Sequence, residues 1–129
     1  MHINLESDYA IRIVHRLAET DGRMDAQTLA EETCVSPRFT LKIMRKLGSA
    51  GIVQSFKGAH GGYTLARPAK EITLRQVIEA MEGPYRFSRC LEEGYTCNCV
   101  EPGVCKYYKV YDHITNMVIA KLDKVNFGK

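Results

Sequence analysis

The chain has 129 residues, a net charge of +3 and 45% hydrophobic residues, which suits one domain, or one domain with a dimerisation arm. The opening run MHINLESDYAIRIVHRLAE carries charges every few positions, which excludes a secretory leader or a membrane span there, so the chain reads as cytoplasmic with no membrane partner. Charge is unevenly divided: from Cys34 to Arg75 eight basic residues face the single acid Glu71, so this segment carries +7 and the remainder −4 of the total +3.

The first element is SDYAIRIVHRLAET, where Ala10, Ile13, Val14, Leu17 and Ala18 recur at helical spacing. Ser7 is the expected N-cap, and Asp21-Gly22 ends the helix. A short second helix spans about Ala26 to Thr33, with Asp25 in the capping position and Leu29 and Ala30 facing inward. Cys34-Val35 makes a turn, in which Cys34 is expected to be a small buried apolar residue. Ser36-Pro37 then opens a third helix, because Ser suits the N-cap and Pro the first helical position. Thr40, Ile43, Met44 and Leu47 form its core face, while Arg38, Lys42, Arg45 and Lys46 lie off that stripe. Two short helices joined by a tight turn, the second one basic, make a helix-turn-helix pattern.

IVQSF, a glycine-rich tip KGAHGG and YTLAR read as a hairpin from Ile52 to Arg67. A hairpin directly after a helix-turn-helix is the order of a winged helix. The third helix can then enter a major groove while the wing meets neighbouring phosphates. The residues expected to meet DNA are Ser36, Arg38, Phe39, Lys42 and Arg45 on the helix, with Lys57, His60 and Gly61 at the wing.

Next, EITLRQVIEAMEG predicts a fourth helix with Thr73 as N-cap and Val77, Ile78 and Met81 buried. After Gly83-Pro84 comes CLEEGYTCNCVEPGVC, which holds four of the five cysteines: Cys90, Cys97, Cys99 and Cys105. In a reducing compartment such a loop favours metal ligation over disulfides. Thiolates are natural ligands of iron–sulfur clusters, and four can supply a complete set. Zinc is the other metal considered, although the paired CxxC knuckles of most four-thiolate zinc sites are missing.

From about Val104 to Phe127, Tyr108, Tyr111, Ile114, Val118, Leu122 and Val125 recur at three or four. A stripe this long needs a cover, and a second copy of the chain is the simplest one. The alternative is a helix folded back on its own domain. The expected fold is mainly α with a small β-hairpin: a winged helix-turn-helix domain over 1–83, a cysteine-rich loop over 84–105 and a long dimerisation helix over 106–129. With no CxxC redox pair, nucleotide-binding glycine motif or nucleophile with a matched base, an enzyme is not expected.

Three stretches carry a family resemblance: SDYAIRIVHRLAE, the run VSPRFTLKIMRKLGSAGIVQSFKGAHGGYTLARPAKEITLRQVIEAMEG, and the cysteine loop before the terminal helix. Together they resemble the Rrf-two family of bacterial regulators over nearly the whole chain, most specifically in GGYTLAR followed by EITLRQVIEAMEG. The resemblance implies a dimeric winged-helix transcription factor that binds a palindromic operator in double-stranded DNA. In cluster-bearing members it also implies a 2Fe-2S or 4Fe-4S cluster held by three loop cysteines and one further ligand. Cys99 and Cys105 match the family spacing and Cys90 fits as the first of the trio, while either Cys97 or Cys99 can fill the middle place. Some members carry a histidine three residues after the last cysteine, where this chain has Tyr108; others use an aspartate at the start of the first helix, donated across the dimer, where this chain has Asp8. The fourth ligand is then the spare thiol or Asp8. The expected function is sensing of cluster, iron, nitric oxide or redox status coupled to DNA binding. The alternatives are an iron–sulfur electron carrier or a zinc-stabilised winged-helix protein that senses nothing.

Overall fold

The structure is a computed structural model and describes residues 2–101 and 103–129. Helix α1 spans Leu5–Ala18, and its N-cap is Asn4, whose side chain accepts from the Ser7 amide at 2.8 Å. Ser7 is therefore one turn inside the helix and buried, with its hydroxyl donating to Glu82. Asn4 supplies a capping oxygen three residues earlier, and Leu5 and Glu6 extend the helix backwards to it.

Helix α2, Ala26–Thr33, starts where Asp25 accepts from the Thr28 amide at 2.8 Å. It ends at Cys34, in the left-handed region at φ 58°. Cys34 is exposed, not buried as its small apolar character suggested, because the reversal turns it outward and sends Val35 into the core instead. Helix α3, Pro37–Ser49, follows, with the Ser36 hydroxyl accepting from the Phe39 amide at 3.2 Å and Pro37 in the first turn.

Strands β1, Val53–Phe56, and β2, Gly62–Leu65, pair antiparallel from Val53↔Leu65 to Phe56↔Gly62. Helix α4, Leu74–Glu82, opens with a complete capping box: Thr73 accepts from the Gln76 amide while the Gln76 side chain accepts from the Thr73 amide. The core lies between these helices and the base of the hairpin, where Ala10, Ile13, Val14, Leu29, Ile43, Leu47, Ile52, Ile72 and Val77 are almost wholly excluded from solvent. The apolar stripes that predict each helix are the faces that meet there, and burial of such side chains is the dominant stabilising term.

Helix α5 spans Lys106–Asp123, shorter at both ends than the apolar periodicity suggested. Beyond Lys124 the chain turns back onto the start of α4. The Leu74 amide donates to the Val125 carbonyl at 2.8 Å, and the Phe127 amide to the carbonyls of Ala69 and Ile72, both at 3.2 Å. Phe127 packs against the core. Val125 thus continues the stripe in sequence but lies on a returning strand-like segment, where backbone partners at the entry to α4 end the helix.

Candidate nucleic-acid interface and cysteine loop

Helix α3 presents Arg38, Leu41, Lys42 and Arg45 to solvent. The groove between it and the hairpin is lined by Leu41, Arg45, Gly48, Gln54, Ser55 and Tyr63 among others. Ser36 and Phe39 have structural work: Ser36 caps the helix, and Phe39 packs edge-on against Tyr9, ring centroids 5.7 Å apart. The four cations of α3 fall into two pairs. Lys42 Nζ lies 2.6 Å from Glu6 Oε1 and Lys46 Nζ 2.5 Å from Glu6 Oε2, while Arg38 and Arg45 take part in no ion pair among the described residues. Hydrogen bonds from the two lysines hold the Glu6 carboxyl below its ordinary range. Of the other basic residues in the segment, Arg75 is engaged within the chain by Glu79 and Asp123.

At the wing, Lys57 and His60 are exposed and Gly61 is half-buried. Gly61 sits in a turn where a side chain has no room: a Cβ would stand 2.6 Å from the Phe56 carbonyl oxygen. The hairpin is not free-standing. Met24, in the loop between α1 and α2, forms a bridge with Tyr63, and Arg23 reaches over the Phe56 ring with its guanidinium carbon 3.6 Å from the centroid. Arg23 Nη1 also donates to the His60 carbonyl at 2.8 Å. A cation stacked on a ring and bonded to the tip carbonyl stiffens the wing from below.

The cysteine loop folds against the first turns of α5. Cys90, Cys97 and Cys105 line one cavity of about 330 Å³, together with Arg89, Tyr95, Tyr107, Tyr108 and Tyr111. Cys99 is exposed and does not line it. Backbone N–H groups of Val100 and then Cys99 point at the Cys97 sulfur and lower its pKa, which favours the thiolate. Phe87 anchors the loop: its amide donates to the buried Thr115 hydroxyl at 3.0 Å and its ring packs on Tyr111 at 5.3 Å. Among the described residues no three His, Cys, Asp or Glu side chains converge closely enough to hold a metal ion. Asp8 is bound within its own helix, where Arg12 Nη2 lies 2.8 Å from its carboxylate.

Along α5 only Thr115 is buried. Tyr111, Val118 and Leu122 are half-buried, whereas Tyr107, Val110 and Met117 are 56%, 52% and 59% exposed. With Ile114 these three make a second apolar line at spacings of three, four and three. Sequence periodicity marked only the first line. The roles of Glu6 and Arg23 were also missed, because nothing local to either residue signals a partner more than thirty positions away.

A family model described as Rrf2, iron-dependent transcriptional regulator, matches residues 3–129. The protein aau3 of Rhizobium meliloti is 33% identical over 95 residues, which are 73% of this chain and 62% of that one. CymR, a helix-turn-helix transcriptional regulator of Bacillus subtilis, is 30% identical over 95 residues, 72% of this chain and 69% of CymR. The chain spans less than two thirds of the length of aau3 and about half that of several other helix-turn-helix regulators. Two solved structures share the fold. The B. subtilis CymR structure, described as that of a global cysteine regulator, superposes with a TM-score of 0.78 at 24% identity, covering 98% of this chain and 93% of CymR. That of IscR from T. potens gives 0.76 at 22% identity, covering 98% and 83%.

Proposed function

The chain belongs to the Rrf2 family, and from that premise we propose that it is a DNA-binding transcriptional regulator, acting as a homodimer on a palindromic operator. One observation carries this reading: the exposed face of α3, whose Arg38 and Arg45 form no ion pair among the described residues, borders the same groove as a hairpin whose tip carries Lys57. That arrangement suits a recognition helix in the major groove with a wing on the flanking backbone. The second apolar line of α5, Tyr107, Val110, Ile114 and Met117, supports a partner helix against it, since a stripe of this kind is stabilised by burial. Two copies place two recognition helices on half-sites one or more helical turns apart.

The finer part of the proposal is that the cysteine loop senses iron, cluster, nitric oxide or redox status through an iron–sulfur cluster. The donor chemistry fits: Cys90, Cys97 and Cys105 share one cavity, and amide N–H groups favour the Cys97 thiolate. These three residues would hold the cluster, which when bound supplies a redox-active, ligand-sensitive centre. Thiols that share a cavity without converging leave the loop to contract around its ligand, and such ordering is how ligation couples to conformation. The loop lies between α4 and α5, so its order bears on how α5 meets a partner and thereby on the separation of the recognition helices. The family's description as iron-dependent also supports this reading, and membership in a family of regulators favours it over an electron carrier. The test is to purify the protein anaerobically, record its absorption spectrum and iron content, and measure its binding to a promoter fragment before and after oxygen or nitric oxide. A colourless, iron-free protein whose DNA binding ignores both agents would remove the cluster part. Failure to bind duplex DNA in any state would remove the whole.

A further inference from the structure

Glu6 stands in the first turn of α1, on the side that faces the recognition helix. Its position is firm. The Asn4 amide donates to Glu82 at 3.1 Å and the Ser7 hydroxyl donates to the same carboxylate, so the start of α1 is tied to α4 on both sides of Glu6. Both Glu6 oxygens are used, one by Lys42 and the other by Lys46, and its side chain is only 17% exposed. Lys46 lies one turn beyond Lys42, so a single carboxylate spans two successive turns of α3 along the edge next to α1. The lowered pKa of Glu6 keeps it ionised throughout the neutral range. Arg38 and Arg45 lie on the adjoining strip of α3, and among the described residues neither forms an ion pair with this carboxylate.

We propose that Glu6 is a specificity-determining residue: it withholds Lys42 and Lys46 from the phosphate backbone and leaves recognition to Arg38 and Arg45. Each lysine that neutralises a phosphate strengthens binding to every sequence alike, whereas arginines can make bidentate contacts that distinguish bases. A carboxylate that occupies two lysines therefore lowers sequence-independent affinity without touching the reading side chains. The inference deepens the DNA-binding reading and rests on it.

The experiment measures salt-dependent binding of the full chain to a mixed-sequence duplex, for wild type, Glu6→Gln, and Glu6→Gln combined with Lys42→Gln and Lys46→Gln. In Glu6→Gln the released lysines should tighten binding and steepen the slope of log affinity against log salt by about 0.9 for each new phosphate contact. The triple variant should lose that gain. An unchanged slope in a Glu6→Gln protein that keeps the wild-type circular dichroism and melting curve overturns the proposal, and so does weakened binding, since Glu6 would then be aiming the lysines at DNA. A second measurement uses wild-type protein alone: reductive methylation of lysines with and without the duplex. Lys57 should become protected by DNA while Lys42 and Lys46 react alike in both samples; protection of those two overturns the proposal. Failure of the underlying reading looks different. In that case Arg38→Gln with Arg45→Gln would leave duplex binding as it was, whatever Glu6 does.

Discussion

Met24 and Tyr63 exchange both of their backbone hydrogen bonds, the Tyr63 amide to the Met24 carbonyl at 2.8 Å and the reverse at 3.0 Å. This one-residue bridge ties the loop between α1 and α2 to β2 of the wing. Gly62 is what permits the approach. Its φ is +140°, and a Cβ there would lie 2.9 Å from the Met24 carbonyl oxygen and 3.0 Å from its carbon. Gly62→Ala should therefore separate the wing from the loop at a cost of about 1–3 kcal/mol, the usual range for such backbone strain. Hydrogen exchange should accelerate at the Met24 and Tyr63 amides while the α1 core stays protected. Unchanged exchange at both amides would show that the bridge does not hold the wing.

The cysteine cavity makes a ligand pattern testable. Serine at Cys90, Cys97 or Cys105 should abolish a stable iron–sulfur chromophore, whereas Cys99→Ser should keep it, because only the first three line the cavity. Asp8→Ala tests the remaining donor. To reach a partner's cluster Asp8 must leave Arg12, so Arg12→Ala should alter the cluster spectrum if Asp8 is a ligand and leave it unchanged otherwise. Loss of the chromophore in Cys99→Ser with retention in Cys97→Ser would reverse the assignment and make Cys99 the middle donor.

The proposed homodimer rests on the second apolar line of α5. Val110→Asp combined with Met117→Asp should dissociate the homodimer, since burial of side chains of this size contributes about 1.5–3 kcal/mol each. Both positions are exposed in the single chain, so its fold should survive. Sedimentation velocity should show a monomer with unchanged helicity. A dimer that persists would direct attention to Val118 and Leu122, which are half-buried within one chain.

The Glu6 clamp has a pH signature. Its carboxyl is held below the ordinary range in the folded state by Lys42 and Lys46. A depressed folded-state pKa means that the stabilisation is present above the unfolded value of about 4.3 and is lost as pH falls through the folded value. The stability difference between wild type and Glu6→Gln should accordingly be constant near neutrality and shrink only under acid conditions below that ordinary value. Urea unfolding of both proteins at a series of pH values measures it. A difference that fades between pH 7 and pH 5 would contradict the pairing.

Much of this fold could be read from the sequence because its punctuation is local. Asp25, Ser36 and Thr73 each bond an amide three residues ahead, so the residues that start α2, α3 and α4 lie within one turn of the groups they satisfy. The spacing of buried side chains also follows from helix geometry alone, and the core faces of α1, α3 and α4 lie where the periodicity predicts them. The same local rules misplaced Ser7, since the better cap, Asn4, lay one turn earlier. They misplaced Cys34 too, because a left-handed turn overrides the preference of a small apolar side chain for the core.

Tertiary structure alone decided which charges are available and which thiols share a space. Sequence counts Lys42 and Arg45 as equal members of a basic helix. The fold brings Glu6 to one and not the other, across a separation no local pattern encodes. In the Cys-Asn-Cys run the two thiols are equivalent by spacing, yet the path of the loop turns Cys97 into the cavity and Cys99 to solvent. The end of α5 was hidden for the same reason: Val125 keeps the helical period, but the unsatisfied amide of Leu74 at the start of α4 captures its carbonyl. Short-range capping and periodicity were therefore legible from the residues in order. Pairing between distant residues depends on where the chain returns, which the packing of the core determines.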